Sequence, residues 1–425
     1  IDAYLKENGF YYFSPENLLI QVDSTVGNNQ VDMRLVIKPE TPAEAKEVYF
    51  INNIYIYPNY SLNRARTDTN KANAEFYKGY YIIDKRQKFK PKLFLNTMAF
   101  NTGQVYNRTD HNRSLQRLMD LGVFKFTKNR FERANVDSPK LNVYYYLTPM
   151  PEKAFRAEVG TETRSNNLNG TELSIGFKHR NTFRAAEQMD IRAYVGTDAQ
   201  FSGAFQGTTT FRIGGEINFS IPRYVVPFFH FKPKSSYIPR TNIRLGYETL
   251  DRRTLYTINS VNGGLGYLWR ETPALTHELY PIAVTYTRPR DITKKYKDEI
   301  VNNPTLLHVT DTQFIIGSTY QYTLNQLVLG LNKRNTFYFN GLADAAGNLA
   351  GLLVSGSGLN GKQLFGLPFS QYLKMELDGR WYRRLGLNNT WANRLVLGYG
   401  LPYGNSRQLP YIKQFFTGGN NSIRA

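Results

Sequence analysis

The feature that most constrains this chain is an alternation of polar and apolar residues that begins after Pro151 and continues toward the C-terminus. Side chains of a β-strand point alternately to its two faces, so an alternating segment predicts a strand with one polar and one apolar face. In QYLKMELDGRWYRR, which starts at residue 371, one face carries Lys, Glu, Asp and Arg, and the other carries Leu, Met and Trp. No helix is predicted after Pro151. The C-terminal region is therefore expected to consist of antiparallel strands.

Eleven such segments can be counted, and their number decides how the sheet can close. A single-chain bacterial outer-membrane barrel has an even number of strands, and an open sheet edge in lipid leaves backbone groups without partners. Either one segment is miscounted or further strands follow Ala425, and the second explanation is the simpler one. The predicted segments are 154–163, 171–180, 187–197, 207–220, 238–250, 256–270, 278–288, 311–323, 332–342, 369–383 and 391–401.

The composition agrees with strands that cross a membrane. The chain contains 31 Tyr and 27 Phe, yet its mean hydropathy is −0.47. No segment approaches the ~20 apolar residues that a membrane helix needs, whereas barrel strands distribute their apolar residues by alternation and carry aromatic residues at both membrane interfaces. A soluble sandwich also alternates, but the many charges on the polar faces suit a water-filled lumen better. We therefore predict a transmembrane β-barrel.

The connections between the predicted strands differ in length between the two sides of the sheet. If the first strand runs outward from the periplasm, the connections 289–310 and 343–368 and the segment from 402 onward face the outside. Most of the opposite turns are short, with 221–237 as the exception. Long outer loops and short inner turns are typical of bacterial outer-membrane barrels.

The N-terminal region mixes helices and strands and is predicted to form two modules before the barrel. Residues 1–42 resemble the end of a small α/β unit, with a short helix followed by the strands NLLIQVDS and QVDMRLVIKP. Residues 43–151 form an α+β module in the order strand, helix, strand, strand, with a polar surface insertion at 61–78. Residues 152–425 are the barrel region.

The helix of the second module has recognisable ends. Thr109 or Asp110 is predicted to cap its N-terminus, and Leu121 and Gly122 are predicted to end it. Its apolar positions lie at helical spacing, and the chain leaves the helix as a strand.

The charge balance favours an anionic environment without pointing to nucleic acid. The chain carries 53 Lys and Arg against 34 Asp and Glu, a formal net charge of +19. The basic residues are scattered among the strands, whereas nucleic-acid binding normally gathers them in one patch. The basic aromatic stretches TYTRPR and WYRRLG suit the rims of a membrane protein. We therefore expect contacts with lipopolysaccharide, outer-membrane lipids and unfolded proteins, and no nucleic acid.

The sequence offers little for catalysis or metal binding. There is no Cys, and the five His residues are dispersed without ligand spacing. No catalytic, cofactor-binding or metal-ligating residues are predicted, and the protein is expected not to be an enzyme. The enzymatic alternative is an outer-membrane esterase with a Ser-His-Asp or Ser-His-Asn triad. His179 is its only candidate base, and no nucleophile motif accompanies it.

Two motifs resemble those of the outer-membrane protein 85 superfamily, the BamA/TamA family. QFFTGGNNSIRA resembles the superfamily's sixth extracellular loop, and SLQRLMDLGVFKF resembles the helix–strand junction of its POTRA domain. The loop motif usually continues with Gly after Arg, and Ala425 at that position is similar to the Bacteroidetes branch, the TamA-like lipoproteins called TamL. The residues concerned are Gly418, Gly419, Ser422, Ile423 and Arg424 in the loop, and Leu118, Leu121, Gly122 and Phe124 in the junction.

The resemblance implies a fold of α+β periplasmic POTRA modules followed by an antiparallel transmembrane β-barrel, with about 11 of 16 strands in this chain. It implies that the sixth loop folds into the lumen and that Arg424 pairs with a carboxylate on a strand beyond Ala425. It also implies a lateral seam that opens at the first strand, where Phe155, Ala157, Val159 and Gly160 lie.

The function implied is the assembly, insertion or translocation of proteins at the bacterial outer membrane, without a cofactor. Unfolded outer-membrane proteins would be the clients and a TamB-like protein the periplasmic partner, with a lipid anchor on a Cys upstream of Ile1. A BamA-type core insertase and a two-partner secretion transporter are the alternatives of the same class. A passive porin-like channel is the alternative of a different class.

Overall fold

The computed structural model describes residues 1–28, 30–135, 138–163, 168–200, 209–229, 235–330, 333–354 and 362–415. The chain divides into two compact units. The first contains Ile1–Glu152 together with two short later segments, Phe183–Ala186 and Lys234–Ile238. The second contains Lys153–Thr182, Glu187–Pro233 and Pro239–Ala425.

The first unit contains helices, a hairpin and a five-stranded sheet. The hairpin strands pair in antiparallel register, with Leu18 opposite Ile37. The sheet has the strand order β4-β5-β3-β7-β6, in which β3 runs parallel to β5 and β7. The elements are α1 (Asp2–Glu7), β1 (Leu18–Asp23), β2 (Asp32–Ile37), β3 (Phe50–Tyr57), α2 (Ala65–Asp68), β4 (Glu75–Tyr77), β5 (Tyr80–Ile82), α3 (Pro91–Thr97), α4 (Arg108–Asp120), β6 (Phe124–Asn135) and β7 (Ser138–Pro149).

One core holds the first unit together. It joins buried side chains of β3, β5 and β7 with those of α3 and α4, and it includes Leu118, Leu121 and Phe124. Ala186 and Ile238, from the two later segments, belong to the same core. Aliphatic and aromatic burial of this kind is the main contribution to the stability of a small domain.

The helix α4 begins at a different cap from the predicted one. Asn107 is the N-cap, and its side-chain oxygen accepts the backbone N–H of Asp110 at 2.9 Å. The prediction of Thr109 or Asp110 is wrong. Asn caps a helix as well as Thr or Asp does, and Thr109 and Asp110 already lie within the first turn of the helix, which begins at Arg108. The predicted end is confirmed: Leu121 is the C-cap and Gly122 follows it with φ 70°.

The polar insertion at 61–78 is more structured than the sequence predicts. It contains the short helix α2, and it ends in β4, which pairs with β5 and forms an edge of the sheet. The ammonium group of Lys71 lies 4.1 Å from the ring centroid of Tyr55 on β3. This cation–π contact and the strand pairing place the insertion against the sheet.

The second unit is built on a sheet of eleven strands, and the predicted number is confirmed. Each strand is paired antiparallel with its neighbour in sequence order, and β8 and β20 are the two edges. The strands are β8 (Lys153–Thr163), β9 (Leu168–His179), β10 (Gln188–Gln200), β11 (Thr209–Ile221), β12 (Arg240–Arg252), β13 (Tyr256–Thr272), β14 (Leu275–Arg290), β15 (Gln313–Asn325), β16 (Asn335–Ala346), β19 (Tyr372–Arg384) and β20 (Thr390–Pro402), with a small separate hairpin of β17 (Gln363–Leu364) and β18 (Leu367–Pro368).

The cross-strand register separates the residues of this sheet into two faces. On the apolar face, Ile175 of β9 lies opposite Ala193 of β10 and Ala157 of β8. On the polar face, Lys374 of β19 lies opposite Asp344 of β16. Successive residues of a strand alternate between faces, so the register extends this division across the whole sheet.

The prediction that no helix follows Pro151 is wrong. The connection between β14 and β15 contains α5 (Lys294–Asn302), and the connection after β16 contains α6 (Asn348–Leu353). In α5, Tyr296 is buried against Leu255 and Tyr256. Such a short helix depends on tertiary packing for its stability, so the local sequence gives little signal for it. No helix in the described part of the chain is long and apolar enough to cross a membrane.

The helix–strand junction of the first unit yields a prediction. Replacing Gly122 by Ala should lower protection of the α4 amides against hydrogen exchange by about 1 kcal/mol, because a residue with a Cβ is strained at φ 70°. Gly122→Asn is the matched variant, since Asn tolerates this conformation, and it should retain most of the protection. Equal protection in the Ala variant and the parent would contradict the role given to this glycine.

Candidate functional site

The two edge strands are the first part of the candidate site. In the described sheet, β8 is paired with β9, and Phe155 and Val159 lie opposite Phe177 and Leu173. Phe155 is 78% exposed and Val159 is 73% exposed. A strand edge presents a row of backbone N–H and C=O groups on which another strand can pair.

The predicted seam residues do not all share one face. Phe155, Ala157 and Val159 point to the apolar face, whereas Gly160 lies opposite Glu172 on the polar face. Between them, Arg156 forms an ion pair with Glu158 at 2.6 Å on the polar face. The first strand is therefore a regular two-faced strand with three apolar groups on one side.

The polar face of β9–β11 carries a network of ion pairs. Glu172 accepts from Arg192 at 2.6 Å and from Arg212 at 3.4 Å. Arg192 also approaches Glu216 at 3.8 Å, and Arg212 approaches Asp198 at 3.8 Å. Most of these side chains are accessible to water, so each pair stabilises only weakly. Together they give the face the alternating charges that suit an aqueous lumen.

A concave region of about 470 Å³ lies on the polar face of β11–β15. Gly264 and Tyr280 are among its lining residues, and the Tyr280 ring packs over Gly264 and Gly266, where a side chain would collide with it. Tyr194 donates a hydrogen bond to Glu248 at 2.7 Å at its margin. Among the described residues, no group of three His, Asp or Glu side chains is placed to hold a metal ion.

The segment 403–415, which follows β20, folds back onto the polar face. Leu409 packs over Gly400, and the Phe415 ring packs over Gly398. A Cβ built on Gly398 would lie 2.5 Å from the Phe415 ring, so the two glycines make room for the segment. Leu409 also contacts the small buried cluster formed by strands β15, β16 and β19.

An ion pair between a partly exposed lysine and a buried carboxylate holds the same segment. The ammonium group of Lys413 lies 2.6 Å from the Asp344 carboxylate of β16, which is 4% exposed. Tyr372 donates a hydrogen bond to that carboxylate at 3.3 Å. The ammonium group of Lys374 lies 4.5 Å from the Phe415 ring centroid. A buried carboxylate without a cation would be costly, so the pair fixes where the segment crosses the sheet.

Hydrogen bonds with the preceding loop complete this arrangement. Asn405 donates through its side chain to the carbonyl oxygens of Lys362 and Phe369, at 2.6 and 3.2 Å. The backbone N–H of Gln371 donates to the Ser406 hydroxyl at 2.9 Å. The start of the segment is therefore held by backbone partners, and its end by the pair of Lys413 with Asp344.

The sequence motif of the sixth loop follows this segment directly but lies outside the described residues. Its positions are Gly418, Gly419, Ser422, Ile423 and Arg424. The last described residue is Phe415, which already lies against the polar face.

The predicted helix–strand motif of the first unit is structural. Leu118 and Leu121 are fully buried, Phe124 is 5% exposed, and Gly122 takes a positive φ. Nearby, His111 contacts Tyr106 and Asn129, and burial lowers the pKa of this imidazole. In these two contacts, the imidazole of His111 does not meet a Ser, Thr or Cys nucleophile.

Sequence reasoning missed several residues that the fold makes important. Arg117 is 6% exposed and donates to the carbonyl oxygen of Ser235 at 2.6 Å within the first unit. Lys413 and Asp344 were not singled out either, because a pair separated by 69 residues leaves no local pattern. His179, the candidate base of the esterase alternative, accepts the backbone N–H of Asn181 at 3.3 Å.

Aromatic residues lie on the apolar face near one end of the strands, the end at which β8 begins. We call this end of the sheet the entry rim, and it includes the turns 273–274 and 385–389. Trp381 and Trp391 lie 6.0 Å apart beside the second of these turns. Trp269 stacks on His277 at 4.8 Å beside the first. These are the three Trp of the chain, and Trp prefers the interface between membrane and water.

Comparison with known proteins finds similarity in structure alone. No family model matches the chain, and no curated protein matches it in sequence. The structure of BamA from Haemophilus ducreyi lacking POTRA domains 1–3 is similar with a TM-score of 0.56 and 11% sequence identity, over 100% of this chain and 67% of that chain. CdiB from Acinetobacter baumannii is similar with a TM-score of 0.49 and 12% identity, over 99% of this chain and 62% of that chain.

The similarity to BamA shows the fold of the chain. Its eleven-stranded antiparallel sheet matches part of a BamA-like barrel, and among the described residues no pairing joins β8 to β20. The chain spans about two thirds of the BamA chain to which it is similar.

The folded-back segment gives a prediction that uses the absence of native Cys. A Cβ built on Gly400 would lie 3.3 Å from Cγ of Leu409, so the pair Gly400→Cys and Leu409→Cys should oxidise to an intramolecular disulfide. The measurement is mobility on a non-reducing gel after mild oxidation. The matched control is Gly379→Cys with Leu409→Cys, because Gly379 points to the opposite face. Equal disulfide formation in both pairs would contradict the observed position of the segment.

Proposed function

We propose that this protein is an assembly factor of the bacterial outer membrane, which inserts or translocates other proteins through an incomplete or weakly paired strand edge. The observation that carries the proposal is the eleven-stranded sheet, which combines an apolar outer face, a charged inner face and a segment folded onto the inner face. The similarity of its fold to BamA supports the same reading.

The proposed mechanism needs no chemical step. A client strand pairs with the exposed backbone of β8, as strand addition on a free edge allows. The apolar side chains of β8 and of the client then face lipid together, and the polar ones face the lumen. The folded-back segment keeps the inner wall in one shape while the edge exchanges partners. Binding energy from new backbone hydrogen bonds drives the insertion, so no cofactor is required.

Within this class we favour a TamA-like lipoprotein of the TamL type. In that reading the first unit corresponds to periplasmic POTRA domains, with residues 1–42 the end of one and 43–151 the last, and 152–425 contributes strands of a sixteen-stranded barrel. A TamB-like protein is the proposed periplasmic partner, and a lipid-bearing Cys upstream of Ile1 is the proposed anchor. A mature N-terminus without a lipidated Cys would favour a BamA-type insertase, and dedication to one secreted partner would favour a two-partner secretion transporter.

The strand-pairing mechanism can be tested by site-specific cross-linking in the full-length protein. A photoreactive phenylalanine analogue at position 155 or 159 should cross-link to a nascent outer-membrane protein, because both side chains are exposed on the edge strand. The matched control is position 245 on β12, which is 57% exposed on the same face but lies inside the sheet. Equal client cross-linking at all three positions would sink the edge mechanism.

A passive porin-like channel remains the competing function, because a charged inner face also suits diffusion of ions. Depletion of the protein should reduce the amounts of other outer-membrane proteins at least twofold, measured by quantitative mass spectrometry of isolated outer membranes. A porin would instead show conductance in planar bilayers, with other outer-membrane proteins unchanged after depletion. That second pattern would replace the assembly proposal.

A further inference from the structure

Two arginines lie on the apolar face of β14, near the end of the strand. The residues of this face between them and the middle of the strand are apolar or aromatic. From the middle of the strand outward, this face carries Ile282, Val284 and Tyr286, and then Arg288 and Arg290. The ring of Tyr286 lies 6.3 Å from that of Phe314 on the same face of the neighbouring strand. The arginines therefore lie where the apolar band ends, at the other end of the strands from the entry rim. We call this end of the sheet the far rim.

The residues directly opposite these two arginines on β13 are uncharged, and the exposed Asp291 follows Arg290 in the chain. In the register with β13, Arg290 lies opposite Thr257 and Arg288 lies opposite Asn259. The acidic residue on the next strand, Asp251, is within hydrogen-bonding distance of the Thr257 hydroxyl, at 3.4 Å. Among the described residues, neither arginine has a carboxylate within ion-pair distance.

This arrangement contrasts with the arginines of the polar face. Arg192 pairs with Glu172, Arg244 pairs with Glu278, and Arg394 pairs with Asp378. These three cations of the polar face are paired within the chain, whereas Arg288 and Arg290 are exposed on the apolar face and have no ion pair among the described residues. An arginine beside the hydrocarbon is unfavourable unless its guanidinium reaches the polar interface and meets an anion there.

Further positive charge lies at the same rim. Arg253 is exposed in the turn between β12 and β13, and α5 carries the exposed Lys294, Lys295 and Lys297 together with the acidic residues Asp298 and Glu299, so the cations outnumber the acids there. Two residues along a strand are separated by about 7 Å, so the guanidinium groups of Arg288 and Arg290 can approach one anion from two sides. Arginine presents paired N–H donors that match the oxygens of a phosphate.

We infer that Arg288 and Arg290 form a binding site for the phosphate groups of an anionic membrane lipid at the far rim, with the lipid chains lying against Ile282, Val284 and Tyr286. The inference rests on the proposed function to the extent that the sheet spans a membrane. It assigns the lipid contact to one strand and one end of that strand. Arg253 and the lysines of α5 add to the local positive potential that attracts such a lipid.

The test uses the full-length protein in detergent and measures binding of bisphosphorylated lipid A by native mass spectrometry. The double variant Arg288→Gln/Arg290→Gln should bind about tenfold more weakly than the parent, because both charged contacts are lost. Arg288→Lys/Arg290→Lys keeps the charge but loses the fork of donors, and it should fall between the two. The matched control Arg383→Gln/Arg384→Gln removes two charges near the entry rim and should bind within about twofold of the parent.

Two further probes identify the source of the anion. Lipid A without its phosphates should bind the parent and the double variant equally. Inorganic phosphate, added at the same concentration as lipid A, should not displace the lipid from the parent. Equal loss of binding in the two glutamine double variants would overturn the inference, because it would show an effect of total charge. Unchanged binding in Arg288→Gln/Arg290→Gln would overturn it as well. Heat-modifiable migration on a gel verifies that each variant keeps its folded barrel.

The outcome is separable from that of the assembly function. If the protein fails the depletion test but the arginine variants lose lipid A binding, the lipid site stands and the assembly proposal falls. If depletion reduces other outer-membrane proteins but the arginine variants bind lipid A like the parent, the lipid site falls alone.

Discussion

The backbone hydrogen bonds between successive strands are the interaction on which the second unit depends. They join eleven strands in unbroken sequence order, and each pairing fixes which side chains face each side. Among the described residues, no strand pairs with the outer edges of β8 and β20. Lipid offers no partner for unpaired backbone groups, so an edge in a membrane must pair with another strand. The requirement that makes the sheet stable also makes its edges receptive, and this is the physical basis for proposing strand exchange.

The polar face contains contacts that, in the proposed mechanism, keep the sheet in one shape. Its ion pairs are accessible to water and individually weak, but Asp344 is buried and is compensated by Lys413 from the folded-back segment. Removing one partner of a buried pair costs far more than removing an exposed one. The end of the segment is therefore positioned by this contact and by the space above Gly398 and Gly400, and its start is held by the hydrogen bonds of Asn405 and Ser406. The contacts of the segment 403–415 with β16, β19 and β20 restrain the part of the sheet that lies farthest from β8.

The strands of the second unit could be predicted from sequence because alternation is a local signal that each strand carries by itself. The helices α5 and α6 could not, since α5 is held by burial of Tyr296 against residues of a different connection. The cap of α4 was misplaced because Asn107, Thr109 and Asp110 are all capable of capping, and only the backbone conformation selects among them. The pair of Lys413 with Asp344 depends on the return of a distant segment. For the sixth-loop residues the sequence motif supplies an expectation, and the described residues end just before it.

The two ends of the apolar face differ in chemistry, and this difference bears on how the sheet would lie in a membrane. The three Trp lie toward the entry rim, as do Arg383 and Arg384, whereas Arg288 and Arg290 lie at the far rim, where the described residues include no Trp. Trp is enriched at both interfaces of a membrane, whereas a pair of arginines without carboxylate partners attracts phosphate groups. The longer connections, which contain α5 and α6, also lie at the far rim. An outer membrane has its phosphate-rich glycolipid in the outer leaflet, so charge and loop length favour the same orientation. Neither feature depends on the other, because one comes from side chains on a strand face and the other from the length of the connections.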